Sequence, residues 1–426
     1  AQKEWSLQQC IEYALENNIQ LKQQELNVKV NENQLTRSKL SAYPNLNASA
    51  NHNYSFGRTT NFITNQKERR DLQSTSASIS TQVTLFNGFQ ITNMQRQDAL
   101  NLLASISDVE KLKNSISLNI AAAYLQILFT QEILETNIRQ RELTQLQVDR
   151  TQQLVRAGSL AEGNLLEIEA QLATDELQVV NSQNQLNLAY LTLTQILDIK
   201  NPEGFNILRP NLAGFEETIP ADSPANVFDQ AQQILPQIKS ATIRVQSAEK
   251  GVQIAKGARY PRLSFIANYG TGSQRLLRTD PLYSPDPFLD QIRDNANYNL
   301  GLNLSIPIFN GWQVKTSISN AFINLDNARY NLELEKNFLY KDIQQAYADA
   351  LGALKKYKAT EKNVDALKEA FRYAEQRFNL GLVNSLDYTT SKTRLNRAEA
   401  DLLSAKYEFI FKTKILDFYR GNPLSL

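Results

Sequence analysis

Leu85–Gln90 reads LFNGFQ and Ile308–Gln313 reads IFNGWQ, nearly the same hexapeptide written twice, 223 positions apart. The offset holds beyond the hexapeptide. Tyr124 in AAYLQIL pairs with Tyr347 in QAYADAL, Gly158 in RAGSL with Gly381 in NLGLV, and Leu172 with Leu395. Upstream, SAYPNLNASANHNY (Ser41–Tyr54) matches GARYPRLSFIANYG (Gly257–Gly270), but Tyr43 and Tyr260 lie only 217 apart. The second copy therefore carries six extra residues before its hexapeptide. One unit is written twice, over residues 1–200 and 225–420, joined by a linker at 201–224 with four prolines. Such internal self-similarity constrains the fold before any single motif does.

Proline and glycine mark out the elements. No proline falls between Pro44 and Pro202 or between Pro307 and Pro423. Each stretch after the hexapeptide is rich in Leu, Ala, Gln, Glu and Lys, and reads as helix. Apolar residues recur at Ile116, Ile120, Ala123 and Ile127, then at Leu339, Ile343, Ala346 and Ala350, the spacing of a coiled-coil seam. The pattern predicts a helix from about Gln90 to Arg156, a turn at Gly158, and a returning helix, with the same again around Gly381. A helix of that length, roughly 100 Å at ~1.5 Å per residue, needs partners along all of it. A third helix per copy is expected over Ser6–Leu40 and Ala225–Lys256, each ending before Tyr-Pro.

Between those helices the period changes from about 3.6 to 2. In YNLGLNLSIPIF the apolar set is Tyr298, Leu300, Leu302, Leu304, Ile306 and Ile308, and the interleaved set is Asn299, Gly301, Asn303, Ser305 and Pro307. Strands are expected at about 45–56, 75–86, 262–270 and 298–309, two per copy, each pair joined by a long polar loop. A strand of ~9–11 residues with one apolar face has the length that crosses a bilayer in a barrel. Four strands cannot close, and the smallest membrane barrels have ~8. Three chains supply twelve.

Composition limits the chemistry. Net charge is +1, which gives no electrostatic case for nucleic acid. One Cys (Cys10), one His (His52) and one Met leave no metal-ligand spacing and no nucleophile–base pair. The expectation is no enzyme, no cofactor and no metal. Residue 1 is followed by polar sequence, so an export signal is expected to have been removed, and Cys10 reads as a buried apolar residue rather than a lipid attachment point.

The duplication, the two-strand insert, the LFNG and IFNG junctions and the RFNLGLVNSLDY hairpin tip together resemble the TolC-like outer-membrane efflux duct family, over about Ser6–Tyr419. The resemblance implies a mixed α/β membrane protein: a homotrimer with a twelve-stranded β-barrel in the outer membrane continuing into a twelve-helix α-barrel in the periplasm. It implies a passive exit duct of a tripartite efflux or type I secretion system, partnered by a periplasmic adaptor, an inner-membrane pump and outer-membrane lipid. Adaptor contact then falls on Ala157, Gly158 and Ser159 in copy one and on Leu380, Gly381 and Leu382 in copy two. Asp387 would ring the periplasmic entrance, with Asn164 at the equivalent place in copy one and Thr390 where a second acidic ring would sit. Asn87, Gly88, Asn310 and Gly311 would turn the chain from strand to helix. Asn299, Asn303 and Ser305 would face the barrel lumen. A soluble periplasmic coiled-coil scaffold or adaptor is the other reading, in which the strands form a soluble domain.

Overall fold

The computed structural model describes residues 4–60, 65, 67–69, 71–200, 203–210, 223–277, 286–380, 382–422 and 424. In chain order the elements are β1 (Glu4–Trp5), α1 (Leu7–Asn17), α2 (Ile19–Leu40), β2 (Asn45–Ser55), β3 (Arg58–Thr60), β4 (Lys67–Arg69) and β5 (Leu72–Phe86). Then follow α3 (Gln90–Arg156), α4 (Glu162–Ile196), β6 (Asn206–Ile207), α5 (Pro224–Ile234), α6 (Pro236–Gly257) and β7 (Arg262–Leu276). The last are α7 (Phe288–Asp294), β8 (Asn297–Ser305), α8 (Gln313–Asn379) and α9 (Ser385–Tyr419). α3 and α8 have 67 residues each, and α4 and α9 have 35 each, so the duplication is exact in helix length.

Two compact units share the chain. The first holds Ala1–Asn27, Ser105–Ala241 and Leu332–Leu426, and the second holds Val28–Ala104 and Thr242–Asn331. The first unit is helical, with the two-residue pair β1–β6. Its seam is the one the sequence marks: Ile116, Ile120, Ala123, Ile127, Leu339, Ile343, Ala346 and Ala350 are all buried. Val227, Ala231, Leu235 and Ile238 of α5 and α6 pack on Leu339 and Ile343 of α8. Tyr124 ties α3 to the linker, its hydroxyl donating to the carbonyls of Trp5 and Leu208. Cys10 is fully buried, and that burial pushes its thiol up to about 12, so it is inert.

The second unit holds a four-stranded antiparallel sheet in the order β2-β5-β7-β8. β5 belongs to copy one and β7 to copy two, so the central pairing joins the copies. Among the described residues, β2 and β8 each keep one edge without a partner strand.

The elements differ from the sequence reading at their ends. The third helix of each copy is two helices, broken at Asn18 and at Leu235. Asn18 side-chain oxygen accepts from the Gln20 and Leu21 amides, starting α2 afresh, and Pro236 forces the second break. β8 stops at Ser305 rather than 309, because Pro307 has no amide to donate. β5 and β7 run longer than expected, and the two loops carry the hairpin β3–β4 and the helix α7. Linker residues 201, 202 and 211–222 lie outside the described residues.

Candidate functional site

Register sorts the strand residues onto two faces. Ser264 lies opposite Asn303, Asn268 opposite Asn299, and Arg262 opposite Ser305, so the three expected lumen residues share one face. The same face continues across the sheet through Ser78 and Ser49, whose hydroxyls meet at 2.9 Å, and through Asn47, Asn51 and Asn53 of β2. It is an Asn/Ser surface with almost no charge. The opposite face carries Leu300, Leu302 and Leu304 against Ala267, Phe265 and Leu263, with Val83 and Ile79 beyond them. Leu300 and Leu302 are each 68% exposed, and nothing among the described residues covers them. Tyr298 and Tyr269 lie side by side at the loop end of this apolar band. From Leu263 to Tyr269 the band covers roughly 20 Å of strand, ~16 Å at a tilt near 40°, within the ~25 Å band of membrane barrels. No helix among the described residues is long and apolar enough to cross a membrane.

At each hexapeptide the strand ends and the long helix begins. Gly88 and Gly311 have φ of 65° and 58°, and the next residues, Phe89 and Trp312, have 61° and 66°. Two successive left-handed residues make the turn. Asn87 and Asn310 are not among them, which corrects the expectation that the asparagines supply unusual backbone angles. Asn87 instead offers its side-chain oxygen to the Ile91 amide at 3.4 Å, and each Asn carbonyl accepts from the Gln three residues on. A Cβ on Gly88 would stand 2.2 Å from the Gly257 carbonyl oxygen, so α6 packs against the turn with no room to spare. Around Gly311 there is open space.

The two helical hairpins end differently. Tip one closes with the Ser159 amide donating to Leu154 O and the Gly158 amide to Val155 O, both at 2.9 Å, a left-handed cap at Gly158 (φ 74°). Ala157, Gly158 and Ser159 are all exposed. At tip two Leu382 makes the same closing bond to Arg377 O, at 2.9 Å. Gly381 lies outside the described residues. Leu380, Leu382 and Leu386 are 73%, 65% and 60% exposed. Tip one is small and polar; tip two is an apolar knob. Asn384 caps α9, its side-chain oxygen accepting from the Asp387 amide at 2.8 Å, which leaves the Asp387 carboxylate exposed in the first helical turn. Asn164 occupies the first turn of α4 and is half-buried.

Behind the tips lie residues with no mark in the sequence. Val148, Ile168, Phe378 and Tyr388 form a core, with the Phe378 and Tyr388 rings stacked at 4.8 Å. Above it Lys392 is buried at 4% exposure. Its ammonium donates to the Thr144 hydroxyl at 3.0 Å, and that hydroxyl donates to Asp175, which also accepts from Gln171 at 2.7 Å. Burial holds the Lys392 ammonium below its ordinary range, against the pull of Asp175 and Glu375. A lysine on a coiled-coil helix reads as solvent-facing in sequence, so only packing exposes this contact. Among the described residues no cluster of His, Cys, Asp and Glu is fit to hold a metal ion.

Comparison with known proteins fixes the class. The family described as "Outer membrane efflux protein" matches residues 10–198 and 227–411, one match per copy. The chain is 24% identical over 388 residues to "Outer membrane protein TolC" of Escherichia coli (strain K12), covering 90% of this chain and 74% of that one. It is 21% identical over 382 residues to "Alkaline protease secretion protein AprF" of Pseudomonas aeruginosa, covering 87% and 76%. Among solved structures, CusC superposes with a TM-score of 0.82 at 18% identity, covering 98% of this chain and 92% of that one. MtrE of Neisseria gonorrhoeae superposes at 0.74 and 19%, covering 98% and 89%. The chain belongs to the outer membrane efflux protein family. It is an exit duct for efflux or secretion, located in the outer membrane with a periplasmic portion.

Proposed function

We propose that three copies of the chain close into a twelve-stranded β-barrel in the outer membrane, continued by a twelve-helix barrel in the periplasm. This duct is passive: an inner-membrane pump supplies the energy, and a periplasmic adaptor joins pump to duct at the helical tips. The observation that carries the reading is the open sheet, polar on one face, apolar on the other, with unpaired edges at β2 and β8. In lipid each such edge must find a partner, and a protomer cannot supply it alone. The chain already shows the joint it needs, because β5 of copy one pairs with β7 of copy two. β8 on β2 of the next copy repeats that step.

The helical ends support the same closure. Gln90 lies so close to Gly257 that a Cβ there would stand 2.5 Å from the Gln90 Cγ. Their counterparts by the two offsets are Gln313 and Leu40, and Leu40 is 58% exposed in the single chain. In a Cys10→Ser background, Gln313→Cys with Leu40→Cys should therefore oxidise to a disulfide-linked ladder ending at three chains in detergent-extracted membranes. A detergent-independent monomer with no ladder would sink the trimeric duct.

At the entrance, three Asp387 carboxylates ring the axis in this assembly. Asn164 in copy one keeps the ring to three charges rather than six.

A further inference from the structure

β7 outruns β8. Their pairing stops at Gly270 opposite Asn297, while β5 follows β7 to Leu276. Going up the apolar face past the Tyr269–Tyr298 row, the residues turn polar: Thr271, then Ser273 beside Thr75 and His52, then Arg275 beside Gln73. α7 is fastened to this overhang. The Thr271 hydroxyl donates to the Ile292 carbonyl, the Gln274 amide donates to Gln291 Oε1 at 2.9 Å, and Asn295 Nδ2 donates to the Gly272 carbonyl at 2.7 Å. Thr271 projects on the apolar side of the sheet, so α7 packs on that side, and Ser273 is buried beneath it. Between them lies a cavity of about 520 Å³ whose polar lining is Gln73, Thr75, Ser273, Arg275, Asp286 and Gln291. Arg275 has no ion pair among the described residues. α7 presents Phe288, at the rim of this cavity, and Leu289, 53% and 76% exposed.

We propose that α7 is a lipid-seated foot on the outside of the barrel. It rests in the headgroup layer of the outer leaflet, with Phe288 and Leu289 against acyl chains and Arg275 holding the phosphate of an anionic lipid in the cavity. The inference rests on the barrel reading, which makes the apolar face the lipid face. Three features select lipid as the occupant. The foot lies on the same face as the apolar band, and it begins where an aromatic row ends that band, the level at which membrane barrels meet headgroups. The charges of α7 are satisfied within the helix, Arg293 pairing with Asp294 at 2.8 Å and Asp290 at 3.4 Å, so its apolar pair remains for the surroundings. On the sheet side the cavity supplies hydroxyl, amide and guanidinium donors, the set that a phosphate-bearing headgroup takes up, while its one carboxylate, Asp286, lies on the α7 side.

The test places a fluorophore on the foot. Leu289→Trp in a Trp312→Phe background, as the full chain in vesicles of phosphatidylcholine and phosphatidylglycerol, reports depth through brominated lipids. Bromines near the glycerol end should quench the new emission at least twofold, and chain-end bromines less. Quenching no greater than that of the remaining Trp5 overturns the foot, whether water or a neighbouring copy covers it. Leu302→Trp in the same background separates the two readings, since it must be quenched by chain-end bromines if the apolar face meets lipid at all. For the headgroup, brominated phosphatidylglycerol should quench Leu289→Trp more than brominated phosphatidylcholine, at least twofold. Arg275→Gln should abolish that preference while Arg293→Gln keeps it. A preference that survives Arg275→Gln overturns the phosphate site.

Discussion

The two strand-to-helix junctions are written almost identically and live in different surroundings. At Gly88 the turn is pressed against Gly257, and at Gly311 the same turn, with the same left-handed φ, faces open space. Sequence repetition builds the backbone twice, but the single chain supplies a neighbour only once. The tips differ in another way: copy one ends in Ala157, Gly158 and Ser159, and copy two exposes Leu380, Leu382 and Leu386. There the copies have parted in chemistry, not only in surroundings. The lesson is that a duplicated protomer holds a finished version of the joint proposed between neighbouring copies, together with sites where equivalence has been given up.

The strongest way to break the equivalence lies in the strands. Leu302→Asp with Leu304→Asp should prevent stable membrane insertion, since a charge on the lipid face costs up to a few kcal/mol per site. Ile79→Asp with Thr81→Asp, at the matching positions of copy one, should do the same. Asn303→Asp with Ser305→Asp should be tolerated. Fractionation of heat-stable trimer reads all three, and damage from the Asn303 and Ser305 pair alone would reverse the assignment of faces.

At the tips the copies should separate. Leu380→Asp with Leu382→Asp should abolish export while a folded trimer remains in the membrane. Ala157→Asp with Ser159→Asp should reduce it less, because no apolar contact is lost there. Export measured beside trimer yield decides, and equal losses would mean the two tips are used alike.

Gly88→Val should destabilise by about 3 kcal/mol or more, from left-handed strain plus collision with Gly257. In a single chain Gly311→Val meets the strain alone, about 1–2 kcal/mol. In the closed trimer the gap should narrow, so the unfolding midpoints of the two variants sharpen the comparison. A Gly311→Val trimer that loses only the strain cost, with the gap to Gly88→Val undiminished, would show that no neighbour reaches that junction.

Lys392 gives a pH dependence to the helical unit. Its ammonium is held below its ordinary value of 10.5, chiefly by burial. The unfolded chain therefore binds more protons in the window between the folded value and 10.5, and stability rises as pH climbs through that window. Cys10 and Tyr388, both pushed up to about 12 by burial, oppose this rise once the unfolded thiol and phenol begin to ionise near 9.0 and 10.0. In thermal unfolding against pH, wild type should gain stability relative to Lys392→Met as pH climbs through that window, because the other groups are common to both chains. An equal change in both chains assigns the dependence elsewhere.

The smallest effect is expected at the entrance. Asp387→Asn should weaken block by a trivalent cation and reduce cation selectivity in single-channel recordings, with trimer stability nearly unchanged. Identical block and reversal potential in both channels would confine Asp387 to favouring its helix terminus.

Much of the architecture was legible because periodicity is a local property of the chain. The 223-residue offset, the runs without proline and the switch from period 3.6 to 2 fix the two 67-residue helices and the four main strands from neighbours in sequence alone. The buried seam from Ile116 to Ala350 follows for the same reason. The alternation of Leu302 with Asn303 marks two faces on a strand, and pairing register then assembles those faces across a sheet. Tertiary structure alone decided what depends on residues far apart. The closeness of Gly88 and Gly257, the α7 foot beside Thr271, and the Lys392–Thr144–Asp175 contact each join segments that no local pattern connects. Lysine and threonine on amphipathic helices look alike whether they face water or a neighbouring hairpin. Only the packed helices determine which of them must do without water.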